Sequence, residues 1–311
     1  MIYGGFIMVK KTSFGKYEIY TLSGEELSVS VLNLGATITD ISYKGRNMVL
    51  SYPTPEEYSK GRYSLNQTIG RYANRIGNAS FSLDGETFCL TPNEGKNQLH
   101  SGVNAPNMRF WDAEIIGDSV RFTICSPDGD NGFPGNITMS ATFSIVEGSA
   151  LKIDFSGETD RTTVYAPTVH PYFNLDGSES VLDAEMQINS EAHLEVDGGL
   201  IPTGNLLKCA GSEFDFSTMK KIGVDFDDCF VLAGNQAMTL KMGNISMDME
   251  TDFPALQVYT GKGLREPFGK NKGIALEPEF YPDSPNHPQF PSTVLRPGDR
   301  FAKYVKYKFY V

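Results

Sequence analysis

The chain has 311 residues, 40% of them hydrophobic and 12% aromatic, enough for one large β domain or two ordinary ones with a packed core. Acids outnumber bases, 38 against 27, giving a net charge of −11, which argues against DNA or an anionic membrane as partner and fits action on a neutral small molecule. No stretch approaches the ~20 apolar residues of a membrane span, and Cys89, Cys125, Cys209 and Cys229, spread thinly without zinc-ligand spacing, read as free thiols of a reducing compartment.

At the start, Phe6-Ile7-Met8-Val9 is apolar but lacks the basic flank, length and cleavage pattern of a signal peptide, so a cytoplasmic location is expected. From there the dominant period is two. Val29, Val31 and the run from Leu34 to Ile41 around Gly35 read as strands. Thr54-Pro55-Glu56-Glu57 predicts a short helix opened by a capping box and stopped by Gly61 after about two turns. Gly70-Arg71-Tyr72-Ala73-Asn74-Arg75-Ile76 carries two arginines four apart around an asparagine. Planar guanidinium forks suit the ring and hydroxyl oxygens of a sugar, and equally suit a pair of surface charges.

Phe81 to Phe88 is a hairpin turned by Asp84-Gly85, a register that sets the two phenylalanines opposite each other. Asn97-Gln98-Leu99-His100-Ser101-Gly102 places a histidine between amides and a glycine turn. Val120, Phe122 and Ile124 alternate with polar residues. The eleven residues Ser126–Asn136 form a turn cluster that meets neither the spacing nor the closing Glu of a calcium loop, and read as a structural connection. Alternation resumes from Ile137 to Ile145 and, after Gly148-Ser149, from Leu151 to Phe155.

Ala166-Pro-Thr-Val-His170-Pro-Tyr-Phe-Asn-Leu175 then holds one histidine between prolines that stiffen extended chain. Its imidazole suits proton transfer, or is a buried histidine satisfied by backbone. His193 reads as an exposed strand residue. Asp227 and Asp228 sit in an apolar strand-like run; burial of a carboxylate is costly, so one of them is expected to reach a cavity or a ligand. Glu277 follows the apolar Gly273–Leu276 and precedes Pro278, where a strand meets an irregular segment; it is a general-base candidate or a surface acid. His287 falls in a proline-rich loop without a role, and Phe301–Val311 alternates again. With helix signals scarce and no linker, the fold expected is all-β: a single domain over residues 1–311, a large antiparallel β-sandwich with few short helices.

Taken together, Gly-Arg-Tyr-Ala-Asn-Arg-Ile at 70–76, Asn-Gln-Leu-His at 97–100, the cluster at 126–135, His-Pro-Tyr-Phe-Asn-Leu at 170–175, Val-Tyr-Thr-Gly at 258–261 and Leu276-Glu277-Pro278 followed by Pro282-Asp-Ser-Pro-Asn286 resemble the aldose 1-epimerase, or galactose mutarotase, family from about Val29 to the C-terminus. The resemblance implies a galactose mutarotase-like sandwich with a sugar in a cleft on one sheet, and no metal or organic cofactor. It implies a chain that acts as a monomer or weak homodimer on a free aldohexose. By motif position, Glu277 matches the general base and His170 the general acid, lying across one cleft a sugar ring apart. Asn74, Arg75, His100, Tyr172, Asp227 and Gln257 match sugar-binding positions.

Three residues depart from the family pattern. Val169 stands where asparagine is common, removing a hydrogen-bonding group beside the site. Asp225 and Asp228 stand where glycine and histidine are common, and their charge disfavours a phosphorylated sugar. Other readings of the same residues are a hexose-6-phosphate epimerase, a glycosidase using Glu277 with Asp227, a metal enzyme using His100, His170 and Glu277, and a non-catalytic sugar-binding module.

Overall fold

The computed structural model describes residues 7–60 and 62–311. Phe6, at the head of the N-terminal apolar run, and Gly61, the expected helix stop, lie outside the described residues. Alternating sequences become antiparallel strands in sheets of five, nine and six, with two-stranded pieces between them. In Ile137–Val146 burial alternates residue by residue, as one core face and one wet face require. The apolar faces meet in one core that contains Val29 and Ile41 from the five-stranded sheet, Phe122, Phe143 and Val305 from the nine-stranded sheet, and Phe230, Leu256 and Leu276 from the six-stranded sheet. Each large apolar side chain buried here contributes about 1.5–3 kcal/mol. Phe122 and Phe143 also meet edge to face at 5.6 Å. This is an all-β antiparallel sandwich.

The last strand, Phe301–Tyr310, lies in the middle of the nine-stranded sheet, between Ala150–Thr159 and Ile245–Thr251. The hairpin forms as its turn dictates: Phe81 pairs with Phe88, ring centroids 5.5 Å apart.

Local expectations change at three places. The run from Leu34 to Ile41 is not one strand. Gly35 and Ala36 take positive φ (65° and 42°), so Leu27–Leu32 ends before the turn and Thr37–Tyr43 starts after it. A Cβ on Gly35 would stand 2.2 Å from the Asn107 carbonyl oxygen, so glycine alone fits there. The helix is a single turn, Pro55–Tyr58, and Thr54 makes no side-chain cap; the capping box is not closed. His193 is buried, its ring stacked on Phe214 at 3.7 Å.

Arg71 and Arg75 part company. Arg71 is 1% exposed and lies inside the Ser126–Asn136 cluster. Its Nε donates to Ser126 Oγ, Nη1 to Pro134 O, and Nη2 to the carbonyls of Ser126, Pro127 and Gly135, all at 2.7–2.9 Å. Irregular backbone that cannot pair in a ladder needs donors from elsewhere, and this guanidinium supplies them. The cluster is structural, as expected, and Arg71 belongs to it rather than to a sugar.

Candidate active site

The six-stranded sheet supplies the floor of the site. Gln257 pairs with Glu277, Asp227 with Tyr259, and Tyr172 with Ala275 across Tyr172–Phe173, Ile274–Glu279, Ala255–Tyr259 and Asp227–Leu232. Period two puts Tyr172, Asp227, Gln257, Tyr259 and Glu277 on one face, while Phe173, Phe230, Leu256, Val258 and Leu276 enter the core from the other. Glu277 therefore lies within its strand, not at its end. The ladder continues through Pro278, because Thr168 Oγ1 donates to Pro278 O (2.7 Å) from the side away from Ala255–Tyr259. On that side the missing proline N–H breaks no ladder bond.

Loops supply the wall. His170 is fixed by its N–H to Gln67 O and by its carbonyl, which accepts from Asn66 N, both 3.0 Å. Asn66 Oδ1 also accepts from Tyr172 N (2.9 Å), clamping the chain on both sides of Pro171. Asn74 and His100, both with positive φ, exchange bonds: His100 N donates to Asn74 O (2.9 Å), and Asn74 N donates to His100 Nδ1 (3.1 Å). That acceptor role leaves His100 Nε2 to carry the proton. Arg75 grips Glu94 through Nε (2.6 Å) and Nη2 (2.9 Å), and its Nη1 donates to Asn74 Oδ1 (3.3 Å), leaving N–H groups to spare. Gln257 Nε2 donates to Asp227 Oδ1 (3.0 Å).

All eight residues singled out in the sequence line one cavity of about 550 Å³: Asn74, Arg75, His100, His170, Tyr172, Asp227, Gln257 and Glu277. The size suits a small organic ligand. His170 Nε2 and Glu277 Oε1 are 3.3 Å apart, not a sugar ring apart. Both side chains are nearly sealed, with His170 Nδ1 and Glu277 Oε2 lacking a protein partner. His100 meets His170 at 5.5 Å between centroids, and Tyr172 meets it at 4.9 Å.

Burial disfavours charge on each member. It pushes His170 down to about 4. Glu277 rises well above the usual carboxylate range, first by burial, then through the charges of Glu279 and Asp227, against the pull of Arg75. Asp227 is raised by burial, and His100 is lowered well below its ordinary value by burial and then by His170 and Arg75. Burial therefore favours one proton on the pair, held by Glu277 beside a neutral imidazole. His100, His170 and Glu277 bring one ring nitrogen or carboxylate oxygen each to within 4.8 Å of the others.

The three departures act elsewhere. Val169 is a core residue on the side of the chain opposite His170, so it removes nothing from the cavity. Asp225 is held by Lys270 (3.1 Å) and Asn271, and Asp228 lies on the opposite face of the strand from Asp227. Neither lines the cavity, but the charge of Asp228 is felt by Asp227 and that of Asp225 by Tyr259, both in its lining.

Sequence reasoning missed Tyr63, Asn107, Met108 and Tyr259 in the lining, Glu94 behind Arg75, and Glu279 behind Asn74. Tyr259 was within reach, two residues beyond Gln257 on the same strand face. Glu94 carried no signal, since a turn acid faces water in most chains.

Residues 18–308 match the family model described as Aldose 1-epimerase. The chain is 34% identical to the aldose 1-epimerase of Escherichia coli K12, covering 94% of this chain and 95% of that one, and 31% identical to the galactose mutarotase of Bos taurus, covering 96% and 95%. Among solved structures, a galactose 1-epimerase from Lactobacillus acidophilus superposes with a TM-score of 0.90 at 30% identity over 99% of both chains. An aldose epimerase homologue from C. elegans gives 0.89 at 27% identity over 98% of this chain and 99% of that one.

Proposed function

Because the chain belongs to the aldose 1-epimerase family of isomerases, we propose that it interconverts the α and β anomers of a free aldohexose such as glucose or galactose. The observation that carries this reading is the buried His170–Glu277 pair, 3.3 Å apart on the wall of a cavity rich in hydroxyl-binding groups. Anomer exchange opens and recloses the C1–O5 bond. Glu277, as carboxylate, takes the proton of the C1 hydroxyl while imidazolium His170 gives one to O5. The aldehyde turns about C1–C2, and the ring closes with the roles reversed. O1 and O5 share C1, so acid and base must stand side by side, which is why hydrogen-bond spacing serves better than a ring's width.

The reaction consumes no net proton, which matches a pair that holds one. Burial holds that proton on Glu277 before sugar binds; sugar hydroxyls donated to the carboxylate, with Arg75 behind it, favour its passage to His170. Arg75, His100, Asp227 and Gln257 hold the hydroxyls and keep the open aldehyde in place, and Tyr172 offers an aromatic wall. The free thiols at all four cysteines support action in a reducing compartment, the cytoplasm. Among the described residues no helix is long and apolar enough to cross a membrane.

The test is polarimetry or NMR of freshly dissolved α-glucose and α-galactose. Catalysed mutarotation is expected with a bell-shaped pH profile above the spontaneous rate. The acid arm lies near pH 4, where His170 takes a second proton and the pair can no longer accept one. Activity is expected to survive chelation. Release of aglycone from aryl glycosides, or sugar binding without faster mutarotation, would contradict the proposal.

A further inference from the structure

Glu277 is not the only carboxyl on its strand face. Glu279, two residues on, is 0% exposed and lies outside the cavity lining. Its Oε1 accepts from Asn74 Nδ2 (2.9 Å), the asparagine whose Oδ1 accepts from Arg75 and whose N–H orients His100. Its Oε2 is buried without a protein partner. The groups that face it are Arg75 and Tyr72 from the 70–76 segment, Asp227 and Cys229 from Asp227–Leu232, and Glu277 on its own strand. The arginine already holds Glu94 in a two-point ion pair. Among the described residues no cation is left wholly to Glu279.

We propose that Glu279 is a protonated positioning residue that holds Asn74 for sugar binding and, by staying neutral, leaves Glu277 free to act as the base. The inference rests on the mutarotase reading and goes beyond it, because Glu279 touches no sugar. A sealed carboxyl with a single donor keeps its proton, whereas Glu277 faces the cavity and can pass its own to His170. Burial places Glu279's titration at about 8. Above that pH a second negative charge stands on the same strand face. Part of what raises Glu277 is the charge of Glu279. Ionised Glu279 therefore locks the proton on Glu277, and the alkaline arm of the rate profile belongs to Glu279.

Two substitutions separate its tasks. Glu279→Gln keeps an acceptor for Asn74 and removes the titration. Glu279→Leu removes both. The alkaline arm is expected near pH 8 in the wild type and at least one pH unit higher in both variants. KM for the sugar is expected to rise several-fold only in Glu279→Leu. Stability offers a second readout. A carboxyl whose folded-state value lies above its unfolded value loses stabilisation as pH rises from about 4.5 to about 8, because the native state then holds the extra proton. The wild-type melting temperature should fall across that window, and more shallowly in Glu279→Gln. An alkaline arm that coincides in wild type and Glu279→Gln, or a rate loss equal at every pH, overturns the assignment. So does an unchanged slope of stability with pH. If the wild type fails to speed mutarotation of any aldose, the mutarotase reading falls, while the stability slope still reports the proton on Glu279.

Discussion

Glu277→Gln is expected to slow mutarotation by roughly 10²–10⁴-fold, the usual scale for one acid–base group. The amide matches the carboxyl in size, so the cavity and its hydroxyl partners persist, but it cannot take the C1 proton. The loss should therefore fall on kcat, with KM little altered. His170→Asn is expected to lose a similar factor, because O5 then leaves without a proton. In the proposed mechanism the two side chains, 3.3 Å apart, move a single proton between them. Once one is gone the other has no partner in the transfer, so the double variant should be little slower than either single one, a non-additivity that independent contributions would not produce. Polarimetry on fresh α-glucose and α-galactose, corrected for the spontaneous rate, reads all three. Near-wild-type rates in both single variants would refute the mechanism.

The largest effect on stability is expected at Arg71. Arg71→Met fills similar volume but abandons one hydroxyl and four carbonyl oxygens in the Ser126–Asn136 cluster. Pro127 O keeps the Asp130 N–H and the Ser126 hydroxyl keeps Asp130 Oδ2, but each remaining buried carbonyl left unpaired costs about 1–3 kcal/mol, and local rearrangement recovers part of the sum. A net loss of about 3–5 kcal/mol is expected from the carbonyls left without donors. That corresponds to a fall of roughly 5–8 °C in melting temperature for a chain of this size. Arg71→Lys should recover little, since an ammonium cannot reach oxygens arrayed around a planar fork. The damage should also reach the site. Asn131, within the cluster, accepts from Gln98 Nε2 through its carbonyl (3.2 Å), and Gln98 lies two residues before His100. A raised KM should accompany the lower melting temperature. Calorimetry with sugar titrations checks both, and a loss below about 1 kcal/mol would mean that the cluster holds its shape without the guanidinium.

The same arginine marks the boundary of what could be read from the chain. Period-two alternation is a local property. It located the strands at 120–124, 137–145, 151–155 and 301–311, and Asp84-Gly85 specified both a turn and the register of Phe81 with Phe88. Together with the ordered motifs, this was enough for the all-β sandwich, the family and the eight residues that now share one cavity. Side-chain chemistry alone did not separate Arg71 from Arg75. The two have identical donors, and only the return of residues 126–135 around one of them made it structural.

Other properties depended on partners distant in the chain. The C-terminal strand gave no sign that it would lie between Ala150–Thr159 and Ile245–Thr251. Pro278 looked like the end of a strand until its free edge was seen to face Thr168. His193 and Glu279 carried the same local signals as exposed residues, and both are buried. The proton-transfer pair itself divides the same way. Motif position in the sequence matched His170 and Glu277 to the proposed acid and base; the pairing of Tyr172–Phe173 with Ile274–Glu279 set their spacing. Burial then reversed their ordinary proton affinities, since desolvation depends on everything packed around a group and not on its neighbours in the chain.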